Sequence, residues 1–273
     1  MEEINQINDT AKFLSDKGIT DAEIGIVLGT GLGHFLNHVE IKQTIPYTEI
    51  PGFPLSTVEF HKGNLIYGSI ANKNVLIMQG RFHAYEGYSM QQIVFPIRVM
   101  KLLGVKKLFL SNAAGGINLH FKKADLVLID DHINLQVTNP LMGKNLDELG
   151  PRFPDMSEPY DPELRNLLQQ KASGLNIELK TGVYAAVNGP NLETKAEYRY
   201  LKIIGADLVG MSTVPEVIAA NHLNLPCAAI SVVTDECDPA NLKPVNIAEI
   251  IAIAGKADEK LSQLLFETIK AID

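Results

Sequence analysis

A short run of apolar residues, at positions 75–78, ends abruptly at polar and positively charged side chains. Such a run is typical of a strand that is buried on both faces of a parallel sheet. Arg81 and His83 follow it directly. Ligands of open α/β sheets bind at the carboxyl ends of the strands, and a guanidinium can hold a phosphate or carboxylate through two hydrogen bonds. The segment therefore predicts an anion site at a sheet edge; a surface ion pair for Arg81 and a loop contact for His83 are the alternative.

The rest of the chain repeats the alternation of strand and helix patterns. The apolar spacing predicts helices over residues 4–15, 91–103, 162–174 and 246–272, and a further helix ending at Ile204. Short apolar runs predict strands over 24–28, 75–78, 107–110, 126–129, 183–187, 207–211 and 228–233. We therefore expect one α/β domain over residues 1–273, with helices flanking a central, mixed but largely parallel sheet.

Several segments between these elements read as loops. Residues 44–68 and 138–160 are rich in proline and glycine, and the second is long enough to predict a lid or a subunit contact. Residues 111–116 predict bare backbone after a strand, open either to a ligand or to close helix packing. The Asp-Asp-His-Ile-Asn run at 130–134 predicts loop or helix capping, because it lacks the other ligands of a metal site.

Composition excludes several classes of protein. The net charge of −8 argues against a surface for nucleic acids or membranes, since both require a basic face. Two cysteines are too few for a disulfide framework or a zinc pattern. The acidic N-terminal segment lacks the features of a signal peptide, and no apolar run reaches membrane-spanning length. We expect a soluble cytoplasmic protein that holds any anion in a local site.

The predicted strand ends carry a consistent set of chemical groups. They supply hydroxyl and cationic donors, two carboxyl groups and aromatic side chains, whereas no motif for an activated serine or cysteine nucleophile is present. Donors for an anion without an enzyme nucleophile suggest that the anion itself attacks the substrate. The glycine-rich turn at 28–33 is a weak signal by itself, since it lacks the lysine of a P-loop and the spacing of a dinucleotide fingerprint.

Taken together, the motifs resemble the trimeric class of purine nucleoside phosphorylases, which are related to the methylthioadenosine phosphorylases. The resemblance is carried, in order along the chain, by LGTGLG at 28–33, STVEFHKG at 56–63, QGRFHAYEGY at 79–88, SNAAGGIN at 111–118, DHINL at 131–135, PRFPDMSEPYD at 151–161, GPNLET at 189–194 and GMSTVPEV at 210–217.

This resemblance implies reversible phosphorolysis of purine nucleosides without a metal or an organic cofactor, in a homotrimer. His83, Glu193 and Asp235 would be the catalytic residues. Phosphate contacts would come from Thr30, His61, Arg81, His83, the backbone of Ala113, and Ser212. Contacts to sugar and base would come from Tyr85, Ala114, Gly115, Tyr184, Glu193, Met211 and Asp235, and Phe153 would reach a neighbouring subunit's site.

Two positions depart from the family pattern. Asp235 stands where members specific for 6-oxopurines usually have an asparagine that donates to N7 of the base. A protonated Asp235 could donate in its place, and an ionised one could accept from a 6-amino group. Ile247 stands near the usual position of a histidine for the 5′-hydroxyl. A preference for 6-aminopurines therefore stays open, and a nucleoside hydrolase or a non-catalytic nucleoside-binding protein are the alternatives from other classes.

Overall fold

The computed structural model describes residues 2–29, 32–57, 62–242, 244 and 246–272. Its strands are β1 (Ile24–Leu28), β2 (Glu40–Pro46), β3 (Asn64–Ile70), β4 (Lys73–Gln79), β5 (Lys107–Gly116), β6 (Leu126–Asn134), β7 (Leu179–Ala186), β8 (Leu208–Gly210) and β9 (Cys227–Glu236). Its α-helices are α1 (Glu2–Asp16), α2 (Met90–Leu102), α3 (Pro162–Gly174), α4 (Lys195–Ile203), α5 (Val214–His222) and α6 (Ile247–Lys270).

All these strands belong to one mixed sheet with the order β2-β3-β4-β1-β5-β8-β7-β6-β9. Since β9 also pairs with β5, the last five strands close into a ring, and β2, β3, β4 and β1 extend the sheet to one side. Among the described strands, five pairings are parallel and four are antiparallel. The predicted α/β fold with a mixed, largely parallel sheet is confirmed.

Helices cover both faces of the sheet. Alternate residues of a strand point to opposite faces, so successive residues of β4 belong to different hydrophobic cores. Leu76 belongs to the core that includes residues of α1, α2 and α5, and Val75 belongs to the core that includes residues of α3 and α6. This explains why the strand reads as an uninterrupted apolar run. Because β1 and β4 are parallel, with Leu28 opposite Gln79, both strands end at the same edge of the sheet.

Three strands run further than their apolar cores predict. β5 continues through residues 111–116, β6 includes residues 130–134, and β9 extends to Glu236. The predictions of loops after β5, of capping at 130–134 and of a strand ending at 233 were therefore wrong. β5 pairs with β9 along its length and with β8 at its end, so long-range pairing outweighs the low strand propensity of alanine and glycine.

The proline-rich stretch at 44–68 was also only partly predicted. The exposed edge strand β2 overlaps its start and β3 overlaps its end. β2 has a mostly exposed burial pattern, so it carries no apolar periodicity that could have announced it. Residues 138–160 contain no helix or strand, as predicted. Within the described residues, no helix combines the length and the apolar composition that a membrane crossing requires.

Candidate active site

A cavity of about 840 Å³, which includes open space at its mouth, lies where β5, β8 and β9 meet the segments that follow β4 and β7. Predicted site residues from five separate segments converge here: Arg81, His83, Tyr85, Ala113, Ala114, Gly115, Glu193, Met211, Ser212 and Asp235. The remaining lining residues, which sequence reasoning did not assign to the site, are Asn112, Leu192, Tyr198, Val209, Gly210, Thr234 and Ile250.

Five other residues that the sequence analysis named are not among the described residues that line this cavity. Thr30 and His61 fall outside the described residues. Tyr184 is fully buried behind the wall, where its hydroxyl accepts a hydrogen bond of 3.3 Å from the backbone N–H of Ser212. Phe153 is 87% exposed in the long irregular segment. Ile247 is exposed at the start of α6, and Ile250, further along the same helix, supplies the apolar contact to the cavity instead.

Arg81 is held rigidly although it is almost completely buried. Its Nε donates to Glu216 Oε1 at 3.0 Å and its Nη1 donates to the backbone oxygen of Ser111 at 2.6 Å. Glu216 lies in α5 and is 3% exposed, so the ion pair is shielded from solvent on both sides. A buried cation with a fixed orientation is suited to hold an anion in one position. Glu216 was not predicted, although it stands within the Ser-Thr-Val-Pro-Glu run of the phosphorylase-like motif.

His83 is oriented by a carboxylate that the sequence analysis also missed. Its Nδ1 lies 2.8 Å from Glu86 Oε1, and the ring stacks on Tyr85 with centroids 4.6 Å apart. Burial tends to raise the pKa of Glu86, but hydrogen bonds from His83 and Thr57 outweigh it and lower that pKa to about 2. Since an ionised carboxylate can only accept, Nδ1 carries the proton in this contact. The spacing of three residues between His83 and Glu86 is the sequence signal that could have revealed this pair.

A strained turn positions Ser212. The next residue, Thr213, has φ of 69°, which is costly for a β-branched side chain. Its hydroxyl accepts from Asn112 Nδ2 at 2.9 Å and lies 3.2 Å from Ser212 Oγ. Thr213 precedes α5 without a side-chain capping bond, and the hydroxyls of Ser212 and Thr213 bond to each other and to Asn112 of β5 instead. These contacts of Thr213 hold the Ser212 hydroxyl at the cavity wall.

Glu193 is not needed to cap the helix that follows it. Thr194 is the N-cap of α4 and forms a capping box with Glu197. Glu193 instead lines the cavity, where it is half-buried. Burial raises its pKa, and the nearby carboxyl of Asp235 raises it further. A carboxyl with a raised pKa at a cavity wall is suited to exchange a proton or to read a hydrogen-bond donor.

Asp235 also lines the cavity and is bound by two neighbouring side chains. Its Oδ1 accepts from the Thr234 hydroxyl at 2.9 Å, and its Oδ2 accepts from the Cys237 thiol at 3.1 Å. Gly115 lies opposite Asp235 in the pairing of β5 with β9. A Cβ atom at Gly115 would lie 2.6 Å from Cys237 Sγ, so only glycine leaves room for this arrangement. The bare backbone predicted for this segment is present, within a strand.

The chain is similar in sequence to a known family and to characterised relatives over almost its whole length. A model of the phosphorylase superfamily matches residues 23–270. Purine nucleoside phosphorylase 1 of Bacillus subtilis is 44% identical over 268 residues, which cover 98% of this chain and 97% of that protein. The purine nucleoside phosphorylase of Mus musculus is 43% identical over 97% of this chain and 95% of its own length.

Solved structures show the same fold. The crystal structure of Schistosoma mansoni purine nucleoside phosphorylase in complex with adenosine has a TM-score of 0.93 and 41% identity, covering 99% of this chain and 98% of that chain. A schistosoma purine nucleoside phosphorylase in complex with hypoxanthine has the same TM-score, identity and coverage.

Proposed function

The chain belongs to the phosphorylase superfamily, and on that premise we propose that it catalyses the reversible phosphorolysis of purine nucleosides to a free purine base and a pentose 1-phosphate. The relatives of similar length carry this activity in their names. The observation that carries the proposal is one cavity with two chemically different sets of residues. A fixed, buried guanidinium serves an anion, and two carboxyl groups serve the edge of a base.

The proposed chemistry follows from these groups. Phosphate, held by Arg81, His83 and Ser212, attacks C1′ through one oxygen while the C1′–N9 bond breaks and its electron pair passes to the purine. Positive charge develops on the sugar and negative charge on the base, so catalysis depends on positioning and on fixed charges. The departing base then takes up a proton or a hydrogen bond at N7, where Asp235 is the candidate donor. Glu193 contacts the other side of the base edge.

Other parts of the site take supporting roles in this proposal. Tyr85 and Met211 pack against the sugar, and the backbone of Ala113 helps to hold phosphate. Ala114 and Gly115 let the base lie against β5. Thr30 and His61 stay predicted phosphate contacts that lie outside the described residues. As the family resemblance implies, the proposed reaction uses inorganic phosphate as a co-substrate and no metal or organic cofactor. A cytoplasmic location stays a prediction that rests on sequence alone.

The family resemblance implies a homotrimer, and the exposed side chain of Phe153 is available for a contact between its subunits. It protrudes from the long segment between β6 and α3 and lies outside the cavity of its own chain. Aromatic residues are enriched in protein interfaces, so Phe153 is a candidate for a contact between subunits. We predict a mass in solution of three times the 29.9 kDa of one chain, measured by light scattering after gel filtration. A single-chain mass with full activity would contradict the assembly but not the reaction.

The reaction itself is tested by its dependence on phosphate. Purified protein is mixed with inosine or guanosine, and release of the free base is followed with and without inorganic phosphate. We expect release only when phosphate is present. Release in phosphate-free buffer would indicate a hydrolase, and nucleoside binding without release under both conditions would indicate a non-catalytic binding protein.

A further inference from the structure

The glycine-rich turn at 28–33 leads from the end of β1 into a short 3-10 helix, His34–His38. One residue of β5, Ser111, contacts both the start of this turn and the anchored guanidinium. Its Oγ accepts from the backbone N–H of Gly29 at 3.2 Å, and its backbone oxygen accepts from Arg81 Nη1 at 2.6 Å. The turn therefore begins beside the group that the proposed reaction assigns to phosphate. Thr30, a predicted phosphate contact outside the described residues, belongs to the same turn.

The far end of the turn is held by a carboxyl group from a distant helix. Asp258 of α6 accepts a hydrogen bond of 2.7 Å through Oδ2 from the backbone N–H of His34, the first residue of the 3-10 helix. The first N–H groups of a helix lack a partner within it, and the side chain of the N-cap residue usually supplies one. The N-cap here is Gly33, which has no side chain. Asp258 therefore supplies the missing acceptor across 224 residues of the chain.

A carboxyl group is a costly choice for the position of Asp258. The residue is 2% exposed and lies on the buried, mostly apolar face of α6. A carboxyl group is stable in such a place only if its oxygens are hydrogen-bonded. Oδ1 accepts from the Ser262 hydroxyl at 3.0 Å, and Oδ2 accepts from the backbone of His34. An apolar side chain would suffice to pack the helix, so what the carboxyl group adds is the contact to the turn.

Two further contacts keep the 3-10 helix on α6 without the help of this carboxyl group. Phe35 is 1% exposed and belongs to the same hydrophobic core as the buried apolar residues of α6. The ring of His38 stacks on that of Phe266, with centroids 5.0 Å apart. Loss of the Asp258 carboxyl group would therefore leave the helix packed on the core, and would remove only the fixed point at the backbone of His34, where the turn ends.

We propose that Asp258 is a positioning residue for phosphate, because its hydrogen bond to the backbone of His34 sets the conformation of the glycine-rich turn beside Arg81. This inference rests on the proposed function, since it makes phosphate the ligand of that turn. Asp258 is not among the described residues that line the cavity, so it acts through the turn. A turn that is already ordered binds an anion more tightly than one that the anion itself must order.

Asp258→Ala is expected to weaken the binding of phosphate selectively, because the backbone N–H of His34 loses its acceptor. We expect Kd for inorganic phosphate, measured by calorimetry on the protein without nucleoside, to rise about 10-fold, and KM for phosphate to rise with it. The KM for inosine, and kcat at saturation of both substrates, are expected to stay within about twofold of the parent values. A merely structural role would lower the amount of active protein, and hence kcat, without changing Kd.

Two further variants separate this contact from a general disturbance of α6. In Asp258→Asn the amide oxygen can accept from His34 and the amide N–H can donate to Ser262, so we expect Kd for phosphate to stay within about twofold of the parent value. Thr268→Val is the matched control. Thr268 is also fully buried in α6, but its hydroxyl donates to the backbone oxygen of Leu264 in the same helix, at 2.7 Å. We expect this variant to keep the parent Kd.

A parent Kd for phosphate in folded Asp258→Ala would overturn the inference. So would an equal rise of Kd in Thr268→Val, or the full rise in Asp258→Asn. If Asp258→Ala shows no cooperative thermal unfolding, Ser262→Ala takes its place. Without the donor to Oδ1 the carboxyl group is less firmly held, so we expect Kd to rise about threefold, and an unchanged Kd would overturn the inference. If the parent chain binds phosphate but releases no base from inosine, the proposed function fails, whereas the Kd values still decide the role of Asp258.

Discussion

Replacement of Arg81 with methionine is expected to lower kcat/KM for phosphate by about 10³-fold, because it removes a fixed positive charge from a site shielded from water. Its guanidinium is anchored by Glu216 and by the backbone of Ser111, and no flexible surface lysine could reproduce that orientation. The measurement is the initial rate of hypoxanthine release at saturating inosine over a range of phosphate concentrations.

This substitution also leaves a charge without its partner inside the protein. Glu216 is 3% exposed, and loss of one member of a buried ion pair typically costs about 3–5 kcal/mol of stability. The double variant Arg81→Met with Glu216→Gln removes both charges, so we expect it to recover much of the lost thermal stability without recovering the use of phosphate. Arg199→Met, at an exposed position of α4, controls for the loss of one positive charge. A stable double variant with the parent kcat/KM for phosphate would contradict the assignment of Arg81.

Replacement of Glu193 with alanine is expected to lower kcat/KM for inosine and guanosine by about 10²–10³-fold. A carboxylate that accepts from the base edge gives a charge-assisted hydrogen bond, and its removal leaves a polar edge of the base unpaired in a buried site. The substitution should weaken the use of the nucleoside and leave phosphate binding unchanged. We therefore expect phosphate affinity, measured by calorimetry on the protein without nucleoside, to stay within about twofold of the parent value.

Glu197→Gln is the matched control for this variant. Glu197 lies four residues further along, is exposed and completes the capping box of α4, which a glutamine can also complete. We expect it to retain the parent kcat/KM for both nucleosides. Equal losses in the Glu193 and Glu197 variants would show that disturbance of the helix start explains the result, and would remove Glu193 from the base site.

The fold could be predicted from the sequence wherever a segment is buried on both faces. β1 was predicted with its observed bounds, and α3 likewise, because apolar burial and helix caps act locally. The ends of β5, β6 and β9 could not be predicted in the same way. Their terminal residues are polar or small, and they are strand residues only because a distant strand pairs with them. The pairing of β5 with β9 closes the ring, but no periodic pattern in the sequence indicates it.

The candidate site could likewise be predicted only in part. Residues that belong to the motifs of the resembling family, such as Arg81, His83 and Glu193, do line the cavity. Glu216 was missed because it meets Arg81 across 135 residues of the chain. Glu86 was missed although it lies only three residues from His83. Cys237 was dismissed because a lone cysteine has no motif. Only the folded chain shows that its thiol contacts Asp235.

In phosphorolysis inorganic phosphate becomes part of the product, and phosphorus NMR of the running reaction detects this transfer. Purified protein is mixed with inosine and phosphate, and the signals of inorganic phosphate and of ribose 1-phosphate are followed beside the release of hypoxanthine. We expect ribose 1-phosphate to appear in step with hypoxanthine while inorganic phosphate falls by the same amount. Release of hypoxanthine with free ribose and an unchanged phosphate signal would contradict it.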